Sequence, residues 1–265
     1  MNPMSIVVCR VTVSAMLFWV LSLFVKTQKI EKKDFLKLLY LAAFGVCLNQ
    51  VFFMYGLSLT TPINSAIIMI SNPIFVLIIT LIVFKTRIRT MQVIGLAFAI
   101  VGAVMILRYR GNFEIGSETI KGDLLTLINS ISWGIFIVMA KPILQKYDTI
   151  SAMRWAFLFG SIYVLPFGFD DIIDTNWSNF TAHAWFAIGF VVIATTFIAY
   201  LLNVFALESL SASTVSAYIY MQPLLAALFA IIGGKDVMTT TKLISGIFII
   251  FGLYLLNIKT KKSEA

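Results

Sequence analysis

The stretch SNPIFVLIIT (71–80) runs through an apolar segment that reads as a helix, yet it carries a proline, and MQPLLAALFA (221–230) repeats the arrangement 150 residues later. In both, an amide precedes the proline: Asn72 before Pro73 and Gln222 before Pro223. A proline inside a helix lacks the backbone donor and crowds the carbonyl four residues earlier, here those of Met69 and Ile219. In hydrocarbon, a carbonyl released in this way is tolerated only where it faces protein or a watery cavity.

Composition decides which medium surrounds the two prolines. Hydrophobic residues make up 60% of the 265-residue chain and charged residues 12%, and the mean hydropathy is +0.96. So little polar surface cannot cover a water-soluble globule. Apolar runs of about 20 residues, each long enough for about 30 Å of hydrocarbon, recur along the whole length. The sequence therefore predicts an all-α integral membrane protein of about nine transmembrane helices, near 4–25, 35–56, 63–84, 91–107, 122–142, 151–172, 183–207, 213–233 and 241–258. Residues 4–25 are too long for a signal-peptide core and lack a basic start or a small-residue cleavage site, so they count as a span.

The net charge of +8 does not point to nucleic acid, because Lys and Arg occupy short loops between the spans. Twelve of them fall on one side: Lys26, Lys29, Lys32, Lys33, Lys85, Arg87, Arg89, Lys141, Lys146, Lys259, Lys261 and Lys262. The other side holds five, namely Arg108, Arg110, Lys121, Lys235 and Lys242. This bias predicts the cytoplasmic membrane as location, with a cytosolic C-terminus and an outside N-terminus. Cys9 and Cys47 both fall within apolar spans and read as packing residues.

A shift of 150 residues superimposes Pro73 on Pro223, Leu57 on Leu207, Thr90 on Thr240, Ile94 on Ile244, Phe98 on Phe248 and Gly102 on Gly252, without a gap. Arg10 and Arg154, 144 apart, stand near the start of the two matching sets. The four helices within 4–107 thus match the last four, 151–258, and the helix at 122–142 has no counterpart. The expected organisation is an inverted 5+5 helix repeat lacking the first helix, with four helices in 1–110 and five in 122–260. An odd number of helices per repeat reverses its orientation, and the loops carry the reversal: 26–34 has four lysines, whereas 168–179 has Asp170, Asp171 and Asp174. The unmatched helix leads to the expectation of a further helix before Met1 in the natural product.

Polar and aromatic groups at middle depth are expected to face the bundle interior rather than lipid. Asn49, Gln50, Asn72, Trp133, Asn203, Tyr220 and Gln222 are therefore the candidate substrate-binding residues, with Pro73 and Pro223 as helix kinks. Ordinary hydrogen bonding between helices is the alternative for each. The carboxylates, among them Asp123, Asp148, Glu208 and Asp236, all sit at span ends, which argues against a simple proton relay. Arg10, Arg154, Lys37 and Lys141 lie about a turn inside spans and are expected to snorkel to the interface. A sharper alternative has Arg10 or Arg154 attracting an anionic group of a substrate. His183 stands at a span end, no GxSxG or HExxH motif occurs, and no mid-membrane aspartate pair exists, so no enzyme, cofactor or metal site is expected.

The early Arg10 and Arg154, the proline-bearing SNPIF and MQPLL, and the closing IGLAFAIVG (94–102) and ISGIFIIFG (244–252) together give the chain its family likeness. It resembles the ten-helix EamA-type branch of the drug/metabolite transporter superfamily. Asp236 in GGKDVMT fits the acidic residue that usually follows the proline helix there, whereas Thr86 in FKTRIRT departs from it, as does Ser245 where the first repeat has Gly95. The resemblance implies a transporter that exports a small amino-acid-like or amphipathic metabolite by alternating access. Its partners would be that small molecule and the lipid bilayer, with a homodimer compatible. The competing readings are an antiporter of phosphorylated sugars or nucleotide sugars and a non-transporting membrane receptor or scaffold.

Overall fold

The computed structural model describes residues 2–85, 89–110, 119–235 and 237–258, without the side chains of 109 and 110. Thr86, Arg87, Asp236, Lys259, Lys261 and Lys262, together with the side chain of Arg110, lie outside the described residues, and so do the readings placed on them. Among the described residues nine helices are long and apolar enough to cross a membrane. They are α1 (Pro3–Leu21), α2 (Lys32–Ser58), α3 (Pro62–Phe84), α4 (Thr90–Arg108), α5 (Ile120–Leu144), α6 (Thr149–Ile173), α7 (Ala182–Ser209), α8 (Ala212–Ile232) and α9 (Thr240–Asn257). Each lies within a few residues of an expected span, and no strand occurs among the described residues.

The packing inverts that of a soluble protein. Large apolar side chains point outward, Phe24 at 80% and Ile232 at 73% exposure, while Ser14, Thr126, Ser130, Thr196 and Ser245 are fully buried. Lipid tails are as apolar as leucine, so helices associate through close backbone approach and polar contacts rather than hydrophobic sorting. The pair α4 and α9 shows this most clearly. A Cβ placed on Gly95 would lie 2.6 Å from the Gly252 carbonyl oxygen, and one on Gly102 would lie 2.6 Å from that of Ser245. Between these contacts Phe98 meets Phe248 edge to face, ring centroids 5.5 Å apart.

The prolines sit where helices restart. Within α3 the chain stops at Met69 and resumes at Asn72, which puts Pro73 in the opening turn. There the missing N–H is one that would have lacked an intrahelical partner anyway. Across the break the ladder tightens, with Ile70 N donating to Ile67 O at 3.2 Å and Ser71 N to Ile68 O at 2.9 Å. Within α8 a 3-10 turn, Tyr218–Tyr220, precedes Met221–Ile232, again with proline in the first turn. The two breaks are tied together: Tyr220 Oη donates to the Ile70 carbonyl at 3.0 Å, and the two residues are 150 apart. Helices α2 and α7 carry matching irregularities, wide π-helical turns at Ala42–Leu48 and Ile193–Ile198.

Hydrogen bonds between helix ends fall into two sets that do not mix among the described residues. At one end Asn2 Nδ2 donates to Asp171 Oδ1 at 2.8 Å, and Thr60 and Asn64 donate to Asp123. At the other, Gln28 N donates to Ser151 Oγ at 2.7 Å, and Lys146 Nζ and Tyr147 Oη both donate to the buried Asp34 carboxylate, at 2.6 and 2.9 Å. Asp34 and Glu31 hold the Lys146 ammonium above the usual lysine range. Also at this end, Lys141 Nζ donates to the carbonyls of Leu207, Glu208 and Leu210 and so caps the C-terminus of α7. This segregation is what nine alternating crossings require.

Replacing Gly252 by Leu should disturb the α4–α9 contact, because a Cβ there would lie 2.5 Å from the Gly95 carbonyl oxygen and 2.6 Å from Ala99 N. Both are backbone atoms that cannot swing aside, and a cost of at least ~1–3 kcal/mol is expected from overpacking. Gly189→Ala is the control, since nothing lies within 4 Å of its added Cβ. Thermal unfolding in detergent should show a clear loss for the first variant and little change for the second.

Candidate functional site

Six helices turn polar side chains toward one another midway along the bundle, and the space they leave is a cavity of about 380 Å³. From the first half, α2 contributes Asn49, Gln50 and Phe53, and α3 contributes Met69 and Asn72 from either side of its break. From the second half, α7 contributes Ala199, Tyr200 and Asn203, and α8 contributes Ile219 and Gln222. These ten residues form five pairs, each 150 apart: 49 with 199, 50 with 200, 53 with 203, 69 with 219 and 72 with 222. Helix α5, which has no counterpart at that spacing, adds Asn129 and Trp133, and α1 adds Arg10.

A hydrogen-bonded cluster fixes one wall. Gln50 Nε2 donates to Tyr200 Oη at 2.8 Å. The Tyr200 hydroxyl lies 2.6 Å from the Gly45 carbonyl oxygen and 3.0 Å from Asn49 Oδ1, so its single proton serves one acceptor at a time. Gly45 belongs to the π-helical turn of α2, where the ladder is widened and carbonyls are available to side chains. Asn129 Nδ2 completes the wall by donating to the Asn49 carbonyl at 2.7 Å. Trp133 stands edge to face against Tyr200, centroids 5.4 Å apart, and Phe157 also meets Tyr200 edge to face, at 5.0 Å.

Six of the seven candidates, Asn49, Gln50, Asn72, Trp133, Asn203 and Gln222, come together on this cavity. Tyr220 does not. It is fully buried away from the lining, with its hydroxyl on the Ile70 carbonyl. The reason is the 3-10 turn: at three residues per turn, Ser216, Ile219 and Gln222 share the cavity face and Tyr220 is carried off it. Asn203 is held by its own helix, Nδ2 to the Ala199 carbonyl at 2.8 Å. Two buried acceptors on the lining, Gln50 Oε1 and Asn72 Oδ1, have no donor among the described residues.

Arg10 also departs from expectation. It does not snorkel to the interface but is 6% exposed and lines the cavity, its Nε donating to Thr196 Oγ1 at 2.8 Å. Thr196 in turn donates to the Val191 carbonyl at 2.9 Å within the π-helical turn of α7. Arg154, its counterpart in the sequence reading, occupies a different setting. Its guanidinium lies over the Trp19 ring at 5.2 Å and reaches Thr27 Oγ1 in the loop after α1. Tyr200, Asn129, Ser216 and Tyr218 also line the cavity, and for Tyr200 the 150-residue spacing from Gln50 is a signal the sequence carried.

Comparison with known proteins agrees with this architecture. An uncharacterized transporter of Archaeoglobus fulgidus is 29% identical over 249 residues, covering 92% of this chain and 82% of that one. The uncharacterized transporter YyaM of Bacillus subtilis is 22% identical over 95% of this chain and 83% of its own. A WAT1-related protein of Arabidopsis thaliana, At3g53210, is 24% identical over 80% of this chain and 64% of its own. A solved crystal structure superimposes on 97% of this chain and 88% of its own with a TM-score of 0.77 at 15% identity, a likeness of fold. The profile of the EamA-like transporter family matches twice, over residues 1–108 and 120–258. With both halves matched in this way, the chain belongs to the EamA-like transporter family.

Proposed function

We propose that this protein carries a small, partly apolar or zwitterionic metabolite outward across the cytoplasmic membrane by alternating access, without chemical conversion of the cargo. The observation that carries this reading is the pairing of the cavity lining, in which five positions of one half face the five positions 150 residues on. Two inverted repeats, one in 1–110 and one in 122–260, would supply such a lining, and exchange of conformation between them would turn the same site to either side. The broken α3, the 3-10 turn in α8 and the π-helical turns of α2 and α7 all fall at or beside the cavity, where local backbone adjustment needs the fewest bonds to change. Outward direction rests on the family resemblance alone.

Flux in proteoliposomes tests the activity, with a panel of amino acids, nucleosides and amphipathic drugs, with and without a pH gradient. The expected result is movement of at least one member. Failure of the folded protein to move any would favour a receptor or scaffold. Asn72→Ala and Gln222→Ala should each lower flux severalfold while leaving membrane insertion intact, because both amides face the cavity rather than lipid. Normal flux in both would reduce them to interhelical contacts.

The orientation proposed from the lysine bias puts the 26–31 loop, the 145–148 loop and the C-terminus in the cytosol and the 174–181 loop outside. Reporter fusions at these points are the check. A cytosolic reporter that is active after residue 178 would reverse the arrangement.

A further inference from the structure

The cavity is built in matched pairs, yet one contact beside it is matched only in position. Where the first half has Arg10, the second half has Gly160, 150 residues on. Arg10 meets Thr196 in the π-helical turn of α7, and Gly160 lies against Val46 in that of α2, again 150 residues from Thr196. Gly160 leaves no room for a Cβ beside Val46. The second-half contact is therefore dry and apolar, and the equivalent place in the first half holds a cation.

Among the described residues that cation has no counter-ion. Arg10 makes no ion pair among them, and three of the carboxylates at the bundle ends are held by other groups: Asp34 by Lys37 and Lys146, Asp123 by Thr60 and Asn64, Glu208 by Thr149. The Arg10 hydrogen bond to the Thr196 hydroxyl aims the guanidinium without neutralising it. An unpaired buried charge within a span is costly and marks a place where something else supplies the compensation. The rest of the lining narrows what that is. Gln50 Oε1 and Asn72 Oδ1, on residues 4% and 2% exposed, are acceptors with no donor among the described residues. One cation and two unpartnered acceptors complement a molecule with one negative group and N–H donors. A guanidinium pairs well with carboxylate or phosphate. A phosphate monoester, however, brings a charge of about −1.5 to −2, which one arginine leaves partly unbalanced.

We propose that Arg10 is the specificity-determining residue of this site, anchoring a single substrate carboxylate while Gln50 and Asn72 accept from N–H groups of the same molecule. The inference rests on the cavity being the transport site, and it sets the cargo as a small carboxylate bearing N–H donors.

The test uses the purified full chain in detergent and probes matched in size: a series of 2-aminoalkanoates of increasing length, their amides, the corresponding alkylamines, and inorganic phosphate, all at equal ionic strength. Aminoalkanoates of suitable length should raise the unfolding temperature of the wild type, and amides and amines should not. Arg10→Gln should abolish the shift, Arg10→Lys should retain part of it with at least tenfold weaker binding, and Asn72→Asp should weaken the carboxylates and admit the amines. The inference is overturned by equal shifts from carboxylate and amide, by the absence of any carboxylate shift, or by a shift that survives in Arg10→Gln. Stabilisation by phosphate in place of carboxylate also overturns it and favours an exchanger of phosphorylated cargo. Should Arg10→Gln fail to fold, Arg10→Lys and Asn72→Asp carry the decision. Counterflow of the same probes in proteoliposomes separates the two proposals. Movement without preference for carboxylate retains transport and overturns the role of Arg10, whereas Arg10-dependent binding without movement does the reverse.

Discussion

Hydrocarbon offers a stray carbonyl no donor, and the protein is organised around that constraint from the break in α3 outward. Where the helix stops at Met69, the Ile70 carbonyl is taken by Tyr220 Oη, which comes from the equivalent break in α8. The α3 break is thus satisfied by a side chain from the other half, so the first half's irregular backbone depends on its partner in lipid. The same demand pulls Gly45 of the π-helical turn to Tyr200. Once irregular backbone has been drawn inward at four helices, the side chains beside it are drawn inward as well. A polar cavity is the result of meeting the backbone's needs, and it stands in the midst of a chain whose outer surface is almost wholly apolar.

The lining divides into groups that are partnered and groups that are not, and the division is informative. Asn49, Tyr200, Asn129 and Asn203 have partners that hold their geometry, and Trp133 and Phe157 brace the Tyr200 ring. Gln50 Oε1, Asn72 Oδ1 and the Arg10 charge are left over. A rigid wall with a few unanswered groups is how a site discriminates, since a ligand gains most where it answers a buried group that nothing else answers.

Composition and loop charge were enough to read the nine helices, because membrane thickness and lipid polarity impose length and hydropathy directly. The spacing of Pro73 and Pro223 led to the repeat and, through their amides, to most of the cavity lining. Tyr220 was misplaced for a local reason: it lies two positions from Gln222, so the two cannot share a face, and the 3-10 turn groups Gln222 with Ser216 and Ile219 on the cavity side. Arg10 was misplaced for a general one. Depth along a span can be judged from sequence, but on a helix apolar on every side nothing marks which face meets lipid and which meets protein. Matching Arg10 to Arg154 by residue type obscured this further, whereas the 150-residue spacing sets Arg10 opposite Gly160.

The side-chain contacts Gln50 with Tyr200 and Phe98 with Phe248 both join positions 150 apart. Were the halves to trade conformations as proposed, such a contact would be its own mirror partner and survive the trade. Arg10 with Thr196 is not of this kind, for its image is Gly160 with Val46. Under that exchange, substitutions at the first sort of contact would strengthen or weaken both conformations together, while those at the second would tilt the balance between them. Under the proposed alternating access, the resting preference of the empty carrier, the quantity that sets on which side it waits for cargo, would be written in the places where the two halves fail to match.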